Sequence, residues 1–130
     1  MDIRFRVKKI LGNMDSYVQQ HEIENKLGSY IGMLSSDTLG VYVNDLQKGD
    51  LVFVNEEGIA VSKNGSLDKT LYSDILKVEA PPKDVPTGVT ITLKSGSVKF
   101  VPIANGRGQL RDVYKFTRFL MRSVEAVGSK

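Results

Sequence analysis

The chain has 130 residues, of which 41% are hydrophobic and 25% charged, with a net charge of +3 and no cysteine. That profile predicts one soluble globular domain able to bury its own core. It excludes a disulfide framework, a thiolate metal site and a cysteine nucleophile, and so mild a charge confines any basic patch to a local surface.

The start, "MDIRFRVKKI", lacks the apolar core of about 7–15 residues that a secretory signal needs. "LGSYIGMLSS" (27–36) falls short of the ~20 residues that cross a bilayer. A cytoplasmic protein is expected. Residues 1–36 read as a mainly helical N-terminal segment, because Tyr17, Val18, His21, Leu27, Tyr30, Ile31 and Leu34 recur at helical intervals. Asp15 or Ser16 would cap its start, and Gly28 and Gly32 weaken its second half. Within it, residues 2–11 fit two periods. Ile3, Phe5 and Val7 alternate as in a strand, while Ile3, Val7, Ile10, Leu11 and Met14 form a helical stripe; helix is the reading taken.

Residues 37–103 read as one strand after another. "LGVYV" (39–43) is β-branched and aromatic, and "DLVFV" (50–54) joins "GIAVSK" (58–63) through the short connection "NEEG". "NGSLDK" (64–69) opens on an Asn-Gly turn pair. "LYSDILKVEA" (71–80) predicts two short strands broken near Ser73-Asp74, and "PPKDVPTG" (81–88) is a loop. "GVTITLKSGSVKFVPI" (88–103) is the clearest hairpin. Val89, Ile91 and Leu93 face the core, "KSGS" turns, and Val98 and Phe100 are expected to rejoin that apolar face.

From about 109 to 127 one amphipathic helix is predicted. Leu110, Val113, Phe116, Thr117, Leu120, Val124 and Val127 share one side, with Tyr114 and Phe119 flanking the other and Asp112 toward its margin. Arg107, Arg111, Lys115, Arg118 and Arg122, spaced by 4, 4, 3 and 4, form the opposite face. They are the candidate residues for holding an anionic partner. An ordinary solvated helix face is the competing reading.

Four further places hold residue types that can carry chemistry. His21 is the only histidine, and one histidine makes neither a triad nor a zinc site, whatever Glu22 and Glu24 beside it add. The carboxylate pairs Glu56-Glu57, Asp45 with Asp50, and Asp68 with Asp74 read as turn and surface groups. "NGRGQ" (105–109) precedes a helix but has no Gly-Lys-Ser/Thr, and Arg111 stands where a dinucleotide fingerprint has its third glycine. "NGS" (64–66) matches a glycosylation acceptor that has no secretory signal to serve it. No catalytic residue, metal or cofactor is therefore assigned, and the chain is expected not to be an enzyme.

"LYSDILKVE" (71–79), "GVTITLKSGSVKFVPI" and "DVYKFTRFLMRSV" (112–124), in that order, resemble the mid-sheet strand, last hairpin and capping helix of the pleckstrin-homology-like superfold, which includes the GRAM and bacterial pleckstrin-homology families. The resemblance covers about 39–127. It implies an α+β fold: a bent antiparallel β-sandwich or barrel of about seven strands capped by a C-terminal helix, as a domain over 37–130 that follows the segment 1–36. Some members hold phosphoinositides through a basic first hairpin, but "NDLQKGD" (44–50) offers one cation, Lys48, between Asp45 and Asp50. Other members bind peptides or proteins along the helix and an adjoining sheet edge. The expected partner is thus an unidentified protein or a second copy of the chain. Anionic lipid at the basic helix face is the alternative, and sequence-specific nucleic acid is not expected, because few aromatics stand on that face to stack bases.

Overall fold

A computed structural model describes residues 3, 7, 10–13, 17–28, 32, 34–45, 48–63, 66–80, 88–103 and 110–128, the side chains of Asn13, His21, Glu24, Leu110 and Arg111 excepted. Among these residues the fold is α+β: eight strands in two antiparallel sheets and one long C-terminal helix. The first sheet holds β1 (Tyr17–Gln19), β2 (Thr38–Asp45), β3 (Asp50–Asn55), β4 (Gly58–Lys63) and β5 (Ser66–Leu71), in that spatial order. The second holds β6 (Ile75–Glu79), β7 (Gly88–Leu93) and β8 (Val98–Pro102). Within each sheet every strand thus pairs with its neighbour in the chain. No described helix is long and apolar enough to cross a membrane.

The strands at 39–43, 50–54 and 58–63 and the hairpin over 88–103 form where the β-branched runs and turn residues place them. Gly96 takes φ 96° in the "KSGS" turn, a conformation that strongly favours glycine. The break at Ser73-Asp74 is a 3₁₀ turn, Tyr72–Asp74.

The segment 1–36 corrects the expectation of a mainly helical N-terminus. Ile3, Val7 and Ile10 have helical backbone, but beyond them the chain passes through a 3₁₀ turn (Leu11–Asn13), strand β1, a second 3₁₀ turn (Gln20–Glu22) and a single helical turn, α1 (Ile23–Lys26). Tertiary pairing overrides the helical period at Tyr17 and Val18, which lie opposite Tyr42 and Val41 on β2. Gly40 lets this edge strand sit close, since a Cβ there would overlap the Tyr17 hydroxyl.

One core joins the two sheets to the C-terminal helix α2 (Leu110–Gly128) and to Val7, Ile10 and Leu11. A second apolar cluster covers the far face of the first sheet. There Ile23, Leu27 and Leu34 lie over Val41, Leu51, Phe53 and Ala60. β3 and most of β2 are therefore buried on both faces, which fits the nearly unbroken apolar run "LVFV".

Polar ties fix the corners. Thr38 Oγ1 donates to Asn55 Oδ1 at 2.8 Å, and Tyr72 Oη donates to the Asn55 carbonyl at 2.9 Å. Asp37 clamps the "NEEG" tip. Its carboxylate accepts from Ser35 Oγ at 2.6 Å and from the Glu57 amide at 3.4 Å, while its carbonyl accepts from the Glu56 amide. The Ser35 hydrogen bond leads in lowering the Asp37 carboxyl below its ordinary value. A depressed folded-state pKa adds stability above the unfolded-state value and loses it as pH falls through the folded value. Urea midpoints below about pH 4 should therefore fall less steeply in Asp37→Asn than in the wild type; parallel acid limbs would refute the coupling.

Candidate functional site

The exposed side of α2 is narrower than its sequence implies. At ~100° per residue, the buried arc runs through Asp112, Val113, Phe116, Thr117, Phe119, Leu120 and Ser123. It is wider than expected and turned toward the cationic side. Phe119, placed beside the basic face by the apolar pattern, is fully buried and meets the Tyr72 and Phe116 rings edge-on, with centroids 6.1 and 6.0 Å away. Asp112 is buried too, because its Oδ2 accepts the Tyr42 hydroxyl at 2.8 Å. The hydroxyls of Thr117 and Ser123 turn back onto the carbonyls four residues earlier, which lets two polar side chains face the core.

Of the five candidate cations, Arg107 and the Arg111 side chain lie outside the described residues. Lys115 is half-buried and engaged in a polar or electrostatic contact. Arg118 and Arg122 are exposed, one turn apart. Between and beside them stand the half-exposed Tyr114 and Met121 and the exposed acid Glu125. The described part of this face therefore mixes two cations with apolar surface and is not a continuous basic stripe.

The second surface was missed by the sequence reading. Partners in an antiparallel ladder share a face. Val89 pairs with Val101, and Ile91 with Lys99, on the inner side of the second sheet. Thr90 with Phe100 and Thr92 with Val98 therefore point outward. Val98 and Phe100 do not rejoin the apolar face: they are 65% and 52% exposed, and Leu76 on β6 is 64% exposed. Val101 and Ile103 take the core places instead. The cost of this phase is an inward-facing lysine. It is met where β8 approaches β5, because Lys99 Nζ donates to Asp68 Oδ1 at 2.8 Å and to Thr70 Oγ1 at 3.0 Å. The competing apolar pair Val101 and Ile103, at the opposite parity, was the signal available in the sequence.

The other sequence candidates fall into structural roles. Glu56 and Glu57 sit at the tip that Asp37 clamps. Asp45 and Asp50 oppose each other at the end of the β2–β3 hairpin, where Asp45 Oδ1 accepts the Lys48 amide. Asp68 is committed to Lys99, and the Asp74 carbonyl accepts the Lys94 amide. His21 lies in a 3₁₀ turn, its side chain outside the described residues. A cleft of about 230 Å³ between Glu57, Leu71, Ser73 and Val127 mixes polar and apolar walls. No family model matches the chain, and neither does any curated protein or solved structure.

Proposed function

We propose that the chain is a non-catalytic protein-interaction module of the pleckstrin-homology-like kind, working through the outer face of its three-stranded sheet. The observation that carries this is a difference between the two sheets. The far face of the first is covered by Ile23, Leu27 and Leu34 from the chain itself. The far face of the second presents Leu76, Val98 and Phe100 exposed. Clustered exposed apolar side chains on a sheet mark a docking surface more often than scattered ones do. The family reading is supported by element order: β2 to β5 as a four-strand meander, β6 to β8 as a three-strand one, then a helix. A cytoplasmic setting goes with this reading.

The test uses the wild type and the triple variant Leu76→Ser, Val98→Ser, Phe100→Ser as baits. A partner held by the wild type should be lost by the triple variant with its fold intact. A partner held equally by both would overturn the assignment of this face.

A second reading has its own observation. Arg118 and Arg122, with exposed Tyr114 and Met121 alongside, suit an anionic bilayer surface. Vesicles with and without anionic lipid test it by sedimentation. Arg118→Glu with Arg122→Glu should leave stability within about ±0.5 kcal/mol per site, since both side chains are exposed. On this reading it abolishes pelleting with anionic vesicles at low salt, and pelleting that survives the double reversal removes it.

A further inference from the structure

We propose that β6 is a self-pairing edge: two copies of this chain join through it, antiparallel, in the register that sets Lys77 of each copy against Glu79 of the other. The inference rests on the protein-interaction reading and names the partner as a second copy.

Among the described residues β6 pairs only with β7, so its other side is the open edge of the second sheet. Exposed edges invite pairing, and natural sheets usually deter it with a charge. Here the deterrent is Lys77, but Glu79 follows on the same face, with Nζ 3.3 Å from Oε1 and the side chains 65% and 50% exposed. That combination selects a register. A pairing centred on Lys77 sets lysine against lysine, and one centred on Glu79 sets glutamate against glutamate. A pairing centred between residues opposes inward to outward side chains and breaks the pleat. Centring on Val78 matches Lys77, Val78 and Glu79 on both copies. Val78, buried, meets its own copy on the inner face, and two Lys77–Glu79 pairs form on the outer face, related by the two-fold axis.

The flanks limit the ladder. A bulge between Ile75 and Lys77 turns Leu76 out of alternation and leaves it exposed, so the matched positions are Lys77, Val78 and Glu79 of each copy. Pro81 and Pro82 follow Ala80 in the sequence, and proline has no N–H to extend a ladder. The opposite edge of the sheet, β8, is tied to β5 by Lys99. A two-fold pair is therefore the end point for this sheet, not a filament. About five residues a side bury well under the ~800 Å² per partner of a standard interface, so the association is weak and must be sought at high protein concentration.

Sedimentation velocity over a concentration series, on the wild type, Lys77→Glu, Glu79→Lys and an equimolar mixture of the two variants, decides the matter. The wild type should self-associate. Each variant alone places like charges opposite each other twice and should associate about tenfold more weakly or worse. The mixture should recover association, because both carboxylates of the first variant then face the two ammonium groups of the second, and thermal melts should show both variants folded. A wild type monomeric at every concentration overturns the proposal. So do single variants that associate normally, or a mixture that stays monomeric. None of those three outcomes touches the Phe100 face, which its own triple variant judges.

Discussion

Phe119→Ala should lower stability by about 3–5 kcal/mol, the range for a fully buried phenylalanine truncated in a core that cannot collapse around the gap. The ring is enclosed on three counts. It has no exposed surface, it meets Tyr72 edge-on at an interplanar angle of 80°, and it meets Phe116 at 63°. Tyr72 cannot readily follow into the space, since its hydroxyl is held by the Asn55 carbonyl. Urea denaturation at neutral pH measures the loss, with Tyr114→Ala on the exposed side of the same helix as the control, expected within about ±0.5 kcal/mol. Equal losses at the two positions would mean that α2 is turned differently about its axis.

Asp112→Ala is the second large effect, at about 1–3 kcal/mol, because it leaves the Tyr42 hydroxyl without its carboxylate acceptor in the core. Tyr42→Phe removes the donor and leaves the buried carboxylate short of one bond, so it too destabilises. The double variant should cost less than the two singles added together, since neither group is then left facing an absent partner. Strict additivity in this cycle would show that the 2.8 Å contact between residues 42 and 112 contributes nothing to stability.

Much of this fold can be read from residue order, and the failures have physical causes. β2, β3, β4 and β7 stand where β-branched runs and turn residues put them, and in β7 the alternation of Val89, Ile91 and Leu93 fixes the face as well. β1 has three residues, too few for a period, and Tyr17 and Val18 fit a helix as well as they fit a strand. Their conformation is decided by Tyr42 and Val41 across the ladder, which the local sequence does not contain. On β8 the apolar pattern offered two phases, Val98 with Phe100 or Val101 with Ile103. The ion pair between Lys99 and Asp68, 31 residues apart, is what makes an inward lysine tolerable. In α2 the apolar stripe located the helix but not its rotation. The pattern places Asp112 at the margin of the basic face and leaves Ser123 out of the apolar stripe, although both are buried, one bonded to Tyr42 and the other to its own helix. The candidate surface was correspondingly half legible. Arg118 and Arg122 are exposed as their spacing implies, whereas the Leu76, Val98 and Phe100 face depends on a register that only pairing reveals.

The unequal cover of the two sheets sets how the molecule breathes. Amides of β2 and β3 lie between two apolar layers, the main core on one side and the Ile23, Leu27 and Leu34 layer on the other. Exposing them to solvent means losing both layers, which is close to global unfolding, so deuterium should enter there at the slowest rate in the chain. Among the described residues the second sheet has one apolar layer, three strands and an open β6 edge, so its outer strand can fray ahead of the first sheet. Its amides, those of β6 foremost, should exchange through smaller openings, with a free energy below that of global unfolding and little dependence on low concentrations of denaturant. The strand that is easiest to open is then also the one whose backbone is most available to be captured.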